Sequence, residues 1–445
     1  MRIAYITAGA GHMYCGSCLR DNTLAMALRA AGHDVQLIPT YTPTRTDEAN
    51  LSQDRVFLGG INVFLQQHLA LFRRTPWVLD RLLDSPALLR LATRWAVSVD
   101  PAQLGAMTVS MLHGPDGFQR KEIEKLVRYL ADEMQPEIVT LPNSLLIGLA
   151  PAIKAGLRGV PVCCTFQGEE LFLDSLGEPY RAKSLELIRT HASRVDAFVA
   201  VSRFGADQMA GYLGLDRSRI EIVPLGINLD GHAKRAGGDP EPFTIGYLGR
   251  IAPEKGLHVL CEAYRRLVSG SQPVPPTRLW AAGYLGPEHR AYLSGIQQRM
   301  AEWGLAEHFT YHGELDRVAK LQFLRELSVL SVPGGYEDPK GLFLLEAMAS
   351  GVPIVQPSRG AAAEIIETTG GGILVAPGDP DALARGLAEL VSDPARRRAL
   401  GDRGYDGVRA HYHAAVMRDR ALEVYRAALA RAWRNGSGGA ERYRA

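Results

Sequence analysis

Four things are scarce in this sequence, and each shortage closes off a class of answers. Cysteine occurs five times in 445 residues (Cys15, Cys18, Cys163, Cys164, Cys261). That is too few for a disulfide framework, so the thiols read as cytoplasmic ones. Charge of one sign is lacking: 50 basic and 48 acidic side chains leave a formal +2, no field to hold a polyanion, and nucleic acid is excluded as a default partner. Long apolar runs are missing. No stretch of 18 apolar residues predicts a membrane span, and the opening MRIAYITAGAG is too short in apolar residues for a secretory signal, so a cytoplasmic protein is expected. Lysine is the fourth, eight residues among the 50 basic ones, so a lysine in a glycine-flanked loop stands out.

What is present is a 46% hydrophobic, 22% charged chain, an ordinary globular composition at a length suited to two or three domains. The first forty residues alternate strand, glycine-rich loop, helix and strand: RIAYIT, AGAGHMYCGSC, LRDNTLAMALRAAG, HDVQLIP. Leu24, Ala27, Leu28 and Ala31 share a helical face, and Gly32 sits where a left-handed cap is wanted. The alternation returns in FQRKEIEKLVRYLADEM, EIVTLP and VPVCCTF, and again from FTIGYLG to PIVQP. Two α/β, doubly wound, Rossmann-like domains are therefore predicted, facing across a cleft. The first covers 1–230 and the second 243–412. GHAKRAGGDPEP at 231–242 reads as the linker. A helix over 413–434 is expected to pack back on the first domain, and 435–445 reads as a flexible tail. A helical insertion at about 64–97, broken by Pro76 and Pro86, carries five arginines beside Trp77 and Trp95. It reads either as packing on the first domain or as an arm for acceptor or peripheral membrane contact.

Two runs carry chemistry. In GYLGRIAPEKGLHVL, Arg250 and Lys255 stand five apart on a strand-to-helix turn, with Gly249 and Gly256 allowing close backbone approach. Two cations so placed suit a diphosphate. In GGYEDPKGLFLLEAMASGVPIV, a helix begins at Gly341, and the N–H groups of Gly341, Leu342 and Phe343 form an anion site. Asp338 precedes it and Glu346 follows, placed to take sugar and ribose hydroxyls. The combination describes a nucleotide sugar. Cys15 and Cys18 form a CxxC, weak by itself for redox or zinc chemistry, and no ligand cluster suggests a metal.

GRIAPEKG, AAGYLG, YHGELD and DPKGLFLLEAMASGVPIV together resemble the retaining glycosyltransferases of family 4, which have the GT-B fold. The resemblance implies transfer of a sugar from a nucleoside-diphosphate donor, UDP- or GDP-linked, to a carbohydrate or lipid-linked acceptor hydroxyl, with no cofactor or metal. It places Arg250 and Lys255 on the diphosphate, Glu346 on the ribose, Asp338 on the donor sugar, and the Gly341–Phe343 amides on a phosphate. Leu315 of YHGELD joins the donor site. Gly16 and Ser17 fall where the family's glycine-rich loop nears the leaving phosphate, and His12 and His113 are weaker candidates for acceptor or sugar contact.

Three positions depart from the family. Asp338 stands where a glutamate is usual, so either it or the adjacent Glu337 takes the first carboxylate's place. Gln167 replaces a histidine after VCCTF, and it can hydrogen-bond a hydroxyl without exchanging a proton near neutral pH. The usual glycine pair before Glu364 reads Gly360, Ala361. Rival readings are a nucleotide-sugar epimerase on the same fold and a binding protein without turnover.

Overall fold

The computed structural model describes residues 1–9, 15–53, 55–69, 72, 101–234, 240–270 and 273–435. The chain forms two compact units. One runs to Pro224 and resumes at Ala415, and the other is Leu225–Ala414.

The first unit is built on β1 (Arg2–Ala8), β2 (Asp34–Thr40), β3 (Ile138–Leu141), β4 (Val162–Phe166), β5 (Ala197–Ala200) and β6 (Ile220–Ile222). Their order is β2-β1-β3-β4-β5-β6, and every pair is parallel. The strands VCCTF and AFVA are buried throughout, as strands covered by helices on both faces must be. The helix after β1 spans Gly16–Ala30. Gly32 closes it at φ +82, and the N–H of His33 reaches back to the Leu28 carbonyl at 3.1 Å. The run FQRKEIEKLVRYLADEM is not one α-helix. Arg120–Arg128 is α-helical, and Tyr129–Met134 widens into a π turn ending at left-handed Gln135.

A helix over Ala414–Asn435 belongs to the first unit. Met417, Ala421, Tyr425 and Ala428, at helical spacing, are buried in one cluster with Ile3, Tyr5, Leu24 and Leu28. The last helix thus covers the sheet face beside the first strand.

The second unit is built on β7 (Phe243–Leu248), β8 (Thr277–Ala282), β9 (Phe309–Tyr311), β10 (Val329–Leu330), β11 (Ile354–Pro357) and β12 (Gly372–Val375). The order is β12-β11-β10-β7-β8-β9, again parallel throughout.

The stretch 231–242 read as a linker begins inside this unit. His232 is buried with Nδ1 2.9 Å from Ser350 Oγ. Arg325 and Arg409 donate to the Gly231 and His232 carbonyls at 2.7 and 3.0 Å. Burial, reinforced by Arg317 and Lys320, pushes the His232 pKa down to about 3. The boundary falls earlier, at Pro224–Leu225, because the second unit's own side chains satisfy this backbone. Residues 235–239 of that stretch, 70, 71 and 73–100 of the insertion, and the tail from 436 lie outside the described residues. Among the described residues no helix is long and apolar enough to cross a membrane.

If the last helix is part of the first core, Met417→Ala, at a fully buried position, costs about 2–5 kcal/mol of unfolding free energy. Urea unfolding followed by a first-unit probe checks this, and an unchanged midpoint contradicts it.

Candidate functional site

In the second unit the chain runs outward from β7 to β8 and β9, then returns to β10 on the other side of β7. Connections therefore leave the β7/β10 pair in opposite directions, and the carboxyl ends of such a pair open a crevice where doubly wound sheets bind ligands. The loops leaving these two strands meet there. The N–H of Gly335 donates to the Glu254 carbonyl at 2.9 Å. Gly256 holds φ +77, and a Cβ on it would lie 2.0 Å from the Pro333 carbonyl oxygen, so only glycine lets the loops approach this closely. Gln356 on β11 secures the end of the two-residue strand β10. Its amide accepts from the Val332 N–H at 3.0 Å and donates to the Val332 carbonyl at 2.6 Å.

Lys255, from the first loop, reaches the second. Its Nζ donates to Asp338 Oδ2 at 2.9 Å and to the Tyr336 hydroxyl, which in turn donates to the same carboxylate oxygen at 2.8 Å. The Lys340 N–H occupies Oδ1 at 3.0 Å. Burial opposes ionisation of Asp338, but the charges of Lys255 and Lys340 and these hydrogen bonds win, and hold its pKa well below the usual carboxylate range. Burial pushes the Tyr336 phenol far up, so it stays a donor. Gly360, at φ +55, presses on the Asp338 backbone so closely that a Cβ would sit 2.2 Å from its carbonyl oxygen. Lys255, Tyr336, Asp338, Gly341, Phe343 and Arg359 all line one pocket. The helix starting it off, Leu342–Ala349, is capped by Gly341, and the first N–H groups of a helix lack intrahelical partners.

Arg250 pairs with Glu254 on its own loop, and its charge acts on Tyr336. Gly249 follows β7, its N–H on the Ala282 carbonyl at 3.0 Å. Of the two neighbouring carboxylates, Asp338 stands on Lys255. Glu337 instead takes the Gly360 N–H at 2.6 Å and faces Arg359 at 3.4 Å. Glu346 is buried and ion-paired with Lys320. Leu315 is half-buried in the loop after β9 and, like Leu342 and Glu346, is not among the pocket's lining residues.

Gly16 and Ser17 open the helix that follows β1, in the first unit. His12 lies outside the described residues. His113 follows the Pro101–Leu112 helix, half-buried, its N–H on the Val109 carbonyl at 3.0 Å. Gln167 is buried and donates from Nε2 to Pro142 O at 2.9 Å and to Asp21 Oδ1 at 3.2 Å. Asp21 is itself ion-paired with buried Arg20 at 3.2 Å and accepts from Tyr5 and Thr7. Burial pushes the Cys163 thiol up to about 12, far from a reactive thiolate. Among the described residues no group of three or more His, Cys, Asp or Glu could hold a metal ion.

Sequence reasoning missed Tyr336, Arg359, Gln356, Glu254 and Lys320. Tyr336 and Glu254 sit within motifs already singled out. The pairing of Lys320 with Glu346, or of Gln356 with Val332, spans more than twenty residues and leaves no local signal.

Residues 232–407 match the family described as "Glycosyl transferases group 1", and residues 22–226 the "Glycosyl transferase 4-like domain". A 2-deoxystreptamine N-acetyl-D-glucosaminyltransferase of Streptomyces fradiae is 27% identical over 306 residues, 65% of this chain and 70% of that protein. A D-inositol 3-phosphate glycosyltransferase of Segniliparus rotundus is 28% identical over 257 residues, 52% of this chain and 55% of that protein. In fold, the chain is similar to a sucrose-phosphate synthase from Thermosynechococcus elongatus (TM-score 0.70, 19% identity, covering 96% of this chain and 99% of the other). It is likewise similar to Anabaena HepE in complex with UDP and glucose (TM-score 0.69, 14% identity, covering 95% and 98%).

The lowered Asp338 pKa fixes the sign of a pH effect. A carboxylate with its folded pKa depressed contributes stability that is complete above the unfolded value of about 3.9 and is lost as pH falls toward the folded one. The stability gap between wild type and Asp338→Asn is therefore constant from pH 7 to 5 and narrows below pH about 4. Denaturant titrations across that range check it, and a gap that stays constant to pH 3 contradicts it.

Proposed function

The chain belongs to the family 4 type of glycosyltransferases and has the GT-B fold, and from that premise we propose retaining transfer of a sugar from a nucleoside-diphosphate sugar to an acceptor hydroxyl. The observation that carries this reading is the Lys255 ammonium, fixed at the switch point by Asp338 and Tyr336, in a pocket shared with the start of the Leu342–Ala349 helix. An ammonium offers three N–H donors. Asp338 and Tyr336 take two, and the third suits a phosphate oxygen.

In the reaction, the bond from the sugar's anomeric carbon to the terminal phosphate oxygen breaks. The acceptor oxygen bonds to the same carbon on the same face, and its proton passes to the departing phosphate. Negative charge grows on that phosphate as the bond breaks. Lys255, Arg250 and the N–H groups of Leu342 and Phe343 oppose it without reorganising, which is where such sites gain most of their rate. Two cations and a helix terminus supply this stabilisation without a metal or cofactor. Asp338 orients Lys255, lines the same pocket, and is placed to meet the donor sugar. Glu346 is the carboxylate we assign to the ribose.

We assign a uridine carrier first, in keeping with the UDP complexes of HepE. The acceptor is taken as a hydroxyl of a carbohydrate or cyclitol, in keeping with the acceptors named for the Streptomyces and Segniliparus relatives.

Thermal unfolding with UDP, GDP and their hexose conjugates tests the donor site. A ligand at about 100 times its dissociation constant adds roughly 2.7 kcal/mol, and the accompanying rise in melting temperature disappears in Lys255→Ala. Turnover of that variant falls by about 10² to 10³. Equal stabilisation of variant and wild type, or none of either, contradicts the reading.

A further inference from the structure

We propose that Arg359 is a second cation lining the donor pocket beside Lys255, taking an anionic oxygen of the bound nucleotide sugar from the β11 side. The inference rests on the donor-site reading above and adds to it a residue that neither the motifs nor their spacing pointed to.

Arg359 leaves the carboxyl end of β11, one strand beyond β10, at the edge of the same crevice. Its N–H bonds to the Pro357 carbonyl at 2.8 Å and its carbonyl accepts from Ala362 at 3.1 Å, so the backbone is set by a turn into the Ala362–Thr369 helix. The side chain lines the pocket with Lys255, Gly341 and Phe343 and is 32% exposed, which leaves the guanidinium partly desolvated.

Its protein contacts are incomplete. Nη1 donates to the Gly335 carbonyl at 3.1 Å and stands 3.4 Å from Glu337 Oε1. Nε is buried with no hydrogen-bond partner among the described residues. A charge-assisted bond to a carboxylate normally closes to about 2.7–2.9 Å, as Lys255 does on Asp338 at 2.9 Å. Glu337 is anchored instead by the Gly360 N–H at 2.6 Å. The Glu337–Arg359 contact is thus the loose pair of this pocket and Lys255–Asp338 the tight one. A guanidinium with five donors, an unsatisfied buried Nε and one slack carboxylate gains most from a ligand oxyanion. Two parts of a nucleotide sugar carry such an oxygen: the diphosphate, and the carboxylate of a uronic-acid sugar.

Calorimetric affinities of UDP, UDP-glucose and UDP-glucuronate, with GDP and GDP-mannose beside them, separate these sources. Wild type, Arg359→Gln, Arg359→Lys and Lys255→Ala are compared. We expect Arg359→Gln to weaken binding at least tenfold and Arg359→Lys to recover part of the loss, keeping the charge without the fork. An equal loss across free nucleotide and conjugates supports the diphosphate. A loss confined to the uronate supports the sugar carboxylate. Melting of the unliganded proteins establishes that the variants are folded, and Arg359→Lys serves if Arg359→Gln is not. Unchanged affinities in both Arg359 variants, with binding lost in Lys255→Ala, overturn this assignment and leave the donor site standing. Absence of binding by the wild type to any of the five overturns both.

Discussion

The second unit's site depends on one ion pair, Lys255 with Asp338, which ties the loop after β7 to the loop after β10 where the sheet's connections diverge. Each partner's side chain is 19% exposed, so both give up much of their hydration. Breaking a fully buried pair costs about 3–5 kcal/mol, and this partly exposed one costs less. The pair forms only because the surrounding backbone comes close enough. Gly256 lies against Pro333 and Gly360 against Asp338, both at positive φ and both where a Cβ would collide with a carbonyl. Tyr336 completes the arrangement by bonding to both charges at once.

That geometry leads to an electrostatic account of the pocket. Three cations around the crevice each face a carboxylate: Arg250 has Glu254, Lys255 has Asp338 and Arg359 has Glu337. The free protein therefore holds these three cations close to neutrality, and under the proposed function a diphosphate would exchange or share partners rather than fill a bare positive hole. The pairs differ in how firmly they hold. Lys255 is fixed from two sides, whereas Arg359 is slack. A site organised this way stabilises charge that grows during a reaction with little movement of the group nearest to it.

Much of this was legible in the sequence, for physical reasons. Buried parallel strands are continuous apolar runs, so FTIGYLG and VPVCCTF announced themselves, and Gly32 marked its helix end because the left-handed cap demands it. Arg250, Lys255, Asp338 and Gly341 lie in two short loops, and a doubly wound sheet brings such loops together at its switch point whatever their separation in sequence. Other features depend on partners distant in the chain. The boundary at Pro224 follows from arginines 325 and 409 bonding to carbonyls at 231 and 232, and no local composition reveals that. That Asp338 stands on Lys255 while Glu337 turns to Gly360 and Arg359 was likewise invisible in the local sequence. The burial of Gln167 on Asp21 and Pro142 was equally hidden, since β1, β3 and β4 meet only in the fold.

The most direct test of the account is a crystal structure of the protein with UDP or GDP bound. The account expects the diphosphate in the second unit's crevice, with a phosphate oxygen within hydrogen-bond reach of Lys255 Nζ and of the first N–H groups of the Leu342–Ala349 helix. A nucleotide bound elsewhere, or one whose phosphates leave Lys255 untouched on Asp338 and Tyr336, would contradict it.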